Sequence, residues 1–264
     1  MAPPRLRAVL FDLDGTLVQT RESSWLVFEK VNKEFSLGID DREQYYDLFR
    51  GNLFEVLPRV IDNEARSKEV LDRFLHLLRL EYEPLMVPGM VDVIQMLAKD
   101  HVLGVISSNA LSAISRIIVK AGLENSIAHI FGGDVVPDKR DAIRTFYSDP
   151  SYATLRQGEP NYFEVEPSLL KSDEIVFVTD TVGDIRHAKE CGVRTIAVTW
   201  GLHTKDALAA AQPDMIVNWP LEIVAYVRES ESSNRSGLSE IINPNAGGEI
   251  DQQWSLSSVR SSKL

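Results

Sequence analysis

Four apolar residues, Ala8-Val9-Leu10-Phe11, run straight into two acids two positions apart, Asp12 and Asp14, and then into Gly15. An apolar run of this length without alternation reads as a strand buried on both faces, the kind that parallel sheets covered by helices use. Extended residues two apart point to the same side, roughly 6–7 Å from each other along the chain. Asp12 and Asp14 are therefore expected to address one small volume beyond the strand's carboxyl end, where open α/β sheets bind ligands. Two carboxylates at the mouth of a low-dielectric core repel, so either one takes a proton or a cation sits between them. A hard, oxygen-seeking ion such as Mg²⁺ is the natural guest. Asp14-Gly15 is equally a hairpin signal, so this stretch by itself leaves the turn open. An EF-hand loop starting at Asp12 is excluded, because Leu17 and Ser23 stand where it requires Gly and Glu.

The six residues Phe11-Asp12-Leu13-Asp14-Gly15-Thr16 resemble the first motif of the haloacid dehalogenase-like hydrolase superfamily. The resemblance implies Mg²⁺-dependent phosphoryl transfer, with Asp12 as the nucleophile that becomes an aspartyl-phosphate and Asp14 as general acid and base. It also puts Thr16 among the phosphate contacts. Dehalogenating members usually lack the second acid, so Asp14 points to phosphoryl transfer.

Composition narrows the partners. With 264 residues, 44% of them hydrophobic, the chain can bury one good core and a small accessory domain. A formal charge of −11 argues against nucleic acid or an anionic membrane as the main partner, since both require a cationic footprint. An anionic substrate must then be held by local cations or a metal. The single cysteine, Cys191, excludes an internal disulfide and a Cys-rich zinc site, and is compatible with a reducing cytoplasm. Apolar runs stay well short of the ~18 residues of a membrane span, and Met1 to Arg7 offers no signal-peptide core; neither insertion nor export is expected.

Between Val18 and Pro84 helical periodicity replaces strand signals. Trp25, Phe28, Val31 and Phe35 share a face, and Leu71, Phe74, Leu75 and Leu78 follow i, i+3, i+4, i+7. Shorter helices are expected over 40–49 and 53–61, broken at Gly51 and Pro58. An all-helical insertion after the first strand resembles the small cap of the phosphoglycolate phosphatase and β-phosphoglucomutase branch. Arg50-Gly51-Asn52 is similar to the cap loop that faces substrate there, which makes Arg50 a candidate for recognising the leaving group.

The β/α alternation resumes with a helix over 90–99 and a strand over 102–106, which ends in Ser107-Ser108-Asn109 before a helix over 111–121. A hydroxyl beside the first amides of a helix suits phosphate, although Ser and Asn are also ordinary N-caps. The segment resembles the superfamily's second motif, with Ser108 fitting slightly better than Ser107. After a short strand near 129–134, Lys139 opens a helix and is the candidate third motif, a cation that would neutralise nucleophile and phosphate together. Arg140 and Lys171 compete for the role, but Lys171 lies too close to Asp180 for a helix and strand to intervene. The stretch 147–170 reads as a surface insertion.

Ile175 to Val178 then forms a buried strand ending in Thr179-Asp180-Thr181-Val182-Gly183-Asp184. This is similar to the fourth motif, Gly-Asp-x-x-x-Asp, with Thr179 in place of the glycine. Its acids supply the remaining metal ligands, giving Asp12, Asp14 through its backbone carbonyl, Asp180 and Asp184. A helix over 186–191, a strand over 195–198, Trp200-Gly201 and a strand near 214–217 close the series. The expected organisation is an α/β core over 1–17 and 85–228, built on a doubly wound parallel sheet. A helical cap occupies 18–84, and a serine-rich, disordered tail 229–264. The expected activity is a cytoplasmic, Mg²⁺-dependent phosphatase, monomer or homodimer, acting on a small phosphorylated metabolite. A sugar phosphomutase uses the same acids, and a non-catalytic protein could keep the same fold.

Overall fold

The computed structural model describes residues 4–49, 61, 63–153, 155–157, 161–163 and 169–230. Six strands form one parallel sheet: β1 (Ala8–Phe11), β2 (Val102–Ser107), β3 (His129–Gly132), β6 (Ile175–Thr179), β7 (Arg194–Val198) and β8 (Met215–Val217), in the order β3-β2-β1-β6-β7-β8. β1 lies at the centre and pairs with β2 on one side and β6 on the other, Leu10 facing Gly104 and Phe177. The chain adds strands outward from β1 in one direction and then returns to add them in the other. The carboxyl ends of β1 and β6 therefore flank the crevice at which such a sheet binds ligands.

Both faces of the sheet are covered, which is why its strands are apolar without alternation. Val9 and Phe11 face a cluster with Met90, Val93, Ile94 and Leu97 of α4 (Met90–Leu97), Ile114 and Ile117 of α5 (Leu111–Lys120), and Val224 and Val227 of α9 (221–230). Ala8 and Leu10 face the opposite layer, where Ile143 and Phe146 of α6 (Lys139–Ser148) and Ala188 of α7 (Val182–Glu190) pack. A short helix α8 (Lys205–Ala210) seats Leu208 on Ile185 and Ala197.

Between β1 and β2 the described chain is helical: α1 (Thr20–Phe35), α2 (Arg42–Phe49) and α3 (Glu64–Glu81). They bury a cluster of their own, in which Phe28 meets Phe74 edge-on at 5.7 Å and Tyr45 at 4.6 Å between ring centres. Asn32 closes the α1–α2 turn by donating to the Ile39 carbonyl (2.7 Å) and accepting from its amide (3.1 Å). Asn63 caps α3 by accepting from the Arg66 amide at 3.0 Å. The helix expected over 53–61 and the loop carrying Arg50 lie outside the described residues, as does the expected tail beyond 230.

The stretch 147–170, expected as a surface insertion, carries local structure: Pro150–Ala153 makes a 3₁₀ turn and β4 (Leu155–Gln157) pairs antiparallel with β5 (Asn161–Phe163). Within it the Tyr152 ring packs on His129 and Phe131 at 4.6 and 5.4 Å, joining the sheet's aromatic layer. The last helix runs through Ser230, whose hydroxyl donates to the Val227 carbonyl at 2.6 Å and accepts from the Leu6 amide at 3.4 Å. Finally, Asp184 stands in the first turn of α7 rather than in a loop, because Thr181 caps that helix by accepting from the Asp184 amide at 3.2 Å. Among the described residues no helix is long and apolar enough to cross a membrane.

Candidate active site

The carboxyl ends of β1 and β6 bring Asp12, Asp180 and Asp184 together, all three buried. Lys139, the first residue of α6, reaches in and donates from Nζ to Asp12 Oδ1 at 2.8 Å and to Asp184 Oδ2 at 2.7 Å. Thr179, standing where the family motif has glycine, ends β6 in extended backbone and donates its hydroxyl to the same Asp184 Oδ2 at 3.0 Å. Asp180 accepts from the Leu202 amide at 2.6 Å and from the Thr16 hydroxyl at 3.3 Å. Its carboxylate lies between two glycines. A Cβ on Gly15, whose φ is +75°, would fall 2.2 Å from Asp180 Oδ2, and one on Gly201 would fall 2.1 Å from Asp180 Cβ. Any side chain at either position would displace the acid.

Asp14 is placed differently from the sequence expectation. It does not share a tight repulsive pair with Asp12: the like charges that raise Asp12 belong to Asp184 and Asp180. Asp14 is instead wrapped by donors, accepting from Tyr82 Oη at 2.5 Å, Thr20 Oγ1 at 2.9 Å and Asn109 Nδ2 at 2.5 Å. Spacing of two along a strand implied one shared volume, and both acids do line one cavity, but the chain has left β1 by Asp14 and turns tightly at Gly15, so that carboxylate takes its hydrogen bonds from Tyr82, Thr20 and Asn109.

The second motif also resolves. Ser107 is buried, and its hydroxyl accepts from the Asn109 amide at 3.1 Å, whereas Ser108 is exposed and lines the central cavity. Thr16, Ser107 and Asn109, expected among the phosphate contacts, are thus directed to Asp180, to a backbone amide and to Asp14 respectively. Ser108 remains the free hydroxyl of the set. Arg140 is no rival to Lys139: it grips Asp138 and Glu190 on the surface.

Electrostatics follow from burial. Desolvation pushes Asp12 well above the usual carboxylate range, with Lys139 only partly offsetting the effect and Asp184 and Asp180 adding to it. Asp180 is pushed up to about 6, again mainly by burial, against the Leu202 amide that lowers it. Burial alone would lower Lys139, yet Asp12 and Asp184 hold it above the ordinary lysine value. Three buried carboxylates against one ammonium leave two negative charges uncompensated, which is the deficit a hard divalent cation would fill. As the side chains stand, no three His, Cys, Asp or Glu among the described residues converge on one point. The Lys139 ammonium holds the space between Asp12 and Asp184, and Asp180 is turned to Leu202. The donor set fits an oxygen-seeking ion in chemistry and charge.

A cavity of about 690 Å³ opens over these groups. Its floor is Asp12, Asp14, Lys139, Asp180 and Asp184, and its far wall comes from the helices, including Arg21, Glu22, Tyr45 and Tyr46. Sequence reasoning missed Thr20, Arg21, Tyr82 and the Trp200-Gly201-Leu202 loop. Only the glycine after the aromatic at the end of β7 hinted at a close backbone approach there.

The model of a family described as haloacid dehalogenase-like hydrolase matches residues 9–198. The chain is 26% identical over 236 residues to a pyrophosphatase, PpaX, of Listeria welshimeri, covering 86% of this chain and 99% of that protein. It is 24% identical over 226 residues to a phosphoglycolate phosphatase of Synechococcus elongatus, covering 85% and 98%. Among solved structures, a haloacid dehalogenase-like family hydrolase from Streptococcus pneumoniae superposes with a TM-score of 0.66 at 21% identity, over 84% of this chain and 98% of that one.

Proposed function

From the premise that the chain belongs to the haloacid dehalogenase-like hydrolase family, we propose that it is a Mg²⁺-dependent phosphatase of a small phosphorylated metabolite, acting in the cytoplasm. The observation that carries this reading is the pair of environments at the end of β1. Asp12 sits in a buried carboxylate cluster beside Lys139, and Asp14 sits two residues on among neutral donors. The two acids stand in different surroundings within one cavity, as separate roles in one reaction require.

Asp12 is the nucleophile. Its carboxylate oxygen forms a bond to phosphorus as the bond from phosphorus to the leaving oxygen breaks, giving an aspartyl-phosphate. Asp14 delivers its proton to that leaving oxygen, then takes a proton from the water that attacks phosphorus, which releases inorganic phosphate and restores Asp12. Lys139 and the Ser108 hydroxyl hold phosphoryl oxygens, the lysine meeting charge as it develops. Asp12, the backbone carbonyl of Asp14, Asp180 and Asp184 would hold Mg²⁺, which supplies charge neutralisation to the phosphoryl group when bound. The similarity to a pyrophosphatase and a phosphoglycolate phosphatase supports phosphoryl hydrolysis as the reaction class.

The test is release of inorganic phosphate from a panel of phosphorylated metabolites, with Mg²⁺ and with a chelator, by wild type and Asp12→Asn. Turnover that needs the metal and disappears in Asp12→Asn is the expected result. Equal turnover in chelator, or in Asp12→Asn, would overturn the assignment, and transfer of phosphate to a second sugar position without release would mark a mutase.

A further inference from the structure

We propose that Arg21 selects the substrate by reading an anionic group, a carboxylate or a second phosphoryl, on the leaving side of the phosphoester; this rests on the phosphatase reading of the same site. Arg21 is the second residue of α1 and lines the cavity shared with Asp12 and Lys139. Its position is bracketed on both sides by hydrogen bonds that end on site carboxylates. The preceding residue, Thr20, donates to Asp14 at 2.9 Å, and Arg21 Nη2 donates at 2.5 Å to the carbonyl of Leu202, whose amide donates to Asp180 at 2.6 Å. Arg21 and Asp14 thus line one cavity, joined through Thr20 of α1.

Two charged neighbours in the cavity have ion-pair partners, whereas Arg21 has none among the described residues. Among the described residues, Lys139 is committed to Asp12 and Asp184, and Glu22 accepts from Arg42 and from Tyr46. Arg21 has no carboxylate partner among those residues: Nη2 donates to the neutral Leu202 carbonyl, and the guanidinium carbon lies 5.9 Å from the centre of the Tyr46 ring. Its Nε is buried, with no acceptor among the described residues. With Nη2 held by the Leu202 carbonyl and Nε buried, it is the remaining N–H groups of Nη1 and Nη2 that meet a carboxylate or phosphoryl oxygen in the cavity. Within a cavity whose other charged side chains are acidic apart from Lys139, a guanidinium without a carboxylate partner is the feature that distinguishes an anionic leaving group from a neutral one.

The test measures kcat/KM for wild type, Arg21→Gln and Arg21→Lys on 2-phosphoglycolate, inorganic pyrophosphate and glycerol 3-phosphate, the last serving also as a control for folding. The first two substrates separate the carboxylate and phosphoryl sources of the anion. Wild type is expected to prefer one of them over glycerol 3-phosphate. Arg21→Gln should lose about 100-fold on that substrate, in line with hydrogen bonds to charged groups, and little on glycerol 3-phosphate. Arg21→Lys should recover part of the loss, since it keeps the charge but not the paired N–H groups of the guanidinium. Equal loss on all substrates would reduce Arg21 to a strut between α1 and the Leu202 loop, and no loss, or a wild-type preference for glycerol 3-phosphate, would equally overturn the proposal. Calorimetric binding of 2-phosphoglycolate and pyrophosphate to Asp12→Asn, with and without Arg21→Gln, separates the two readings. Anion binding that depends on Arg21 in a chain that turns over none of these esters supports the recognition role while the phosphatase reading fails.

Discussion

Asp180 carries its charge at the expense of the fold around it. It accepts from Leu202 and Thr16 between the backbones of Gly15 and Gly201, and burial raises it from the ordinary 3.8 to about 6. A carboxyl group raised in the folded state contributes stability that is fully present below about pH 4, where it is protonated in both states, and lost as pH rises through about 6. In chelator, wild type should therefore lose ground to Asp180→Asn between pH 4 and pH 7.5, by up to about 3 kcal/mol if the whole shift is expressed. Urea unfolding at several pH values checks this, and a pH-independent difference between the two proteins would show that Asp180 is not the group responsible. The same acid was legible in the sequence as one of the two at the end of a buried strand. Its confinement between two glycines far apart in the chain was not.

At the scale of elements, the helical layer meets the sheet through two crossings, and each supplies a donor to Asp14. Thr20 opens α1 and Tyr82 follows α3, and their two hydroxyl oxygens lie 3.1 Å apart over Asp14. Tyr82 is buried, and its phenol is pushed above its ordinary value by that burial and by Asp14, so it serves Asp14 only as a neutral donor. Any swing of α1–α3 relative to the sheet must move these donors and so alter the surroundings of Asp14, the proposed acid and base. Tyr82→Phe is expected to lower kcat about tenfold, the size of a hydrogen bond to a charged group, with Mg²⁺ dependence unchanged. Unaltered kcat and an unaltered pH profile would leave the contact merely structural. The helices themselves were legible from i, i+3, i+4, i+7 spacing. Tyr82, one aromatic in a polar stretch before Pro84, offered no local sign that its hydroxyl meets an acid 68 residues away.

For the molecule as a whole, the hydrophobic core is divided. The sheet and its two helical layers form two clusters, and α1–α3 bury a third, with Leu78 packed against both the third and the first. Weak sharing implies that the helical layer opens more easily than the sheet. Phe74→Ala, which empties the centre of the third cluster, should cost about 3–5 kcal/mol locally. Hydrogen exchange should rise in α1–α3 while β1, β2 and β6 keep wild-type protection; uniform loss of protection would mean one cooperative unit. The sequence by itself determined the sheet, the order of its chemical groups and the class of chemistry. An apolar run ending in acids is a local pattern, and periodicity depends only on near neighbours. Tertiary structure alone decided which hydroxyl faces the cavity, that Asp14 belongs to Tyr82, Thr20 and Asn109 rather than to Asp12, and that Arg21 stands over the site. Each of these rests on contacts between residues distant in the chain, whose partners are chosen by how the helical layer packs on the sheet and not by anything in the intervening spacing.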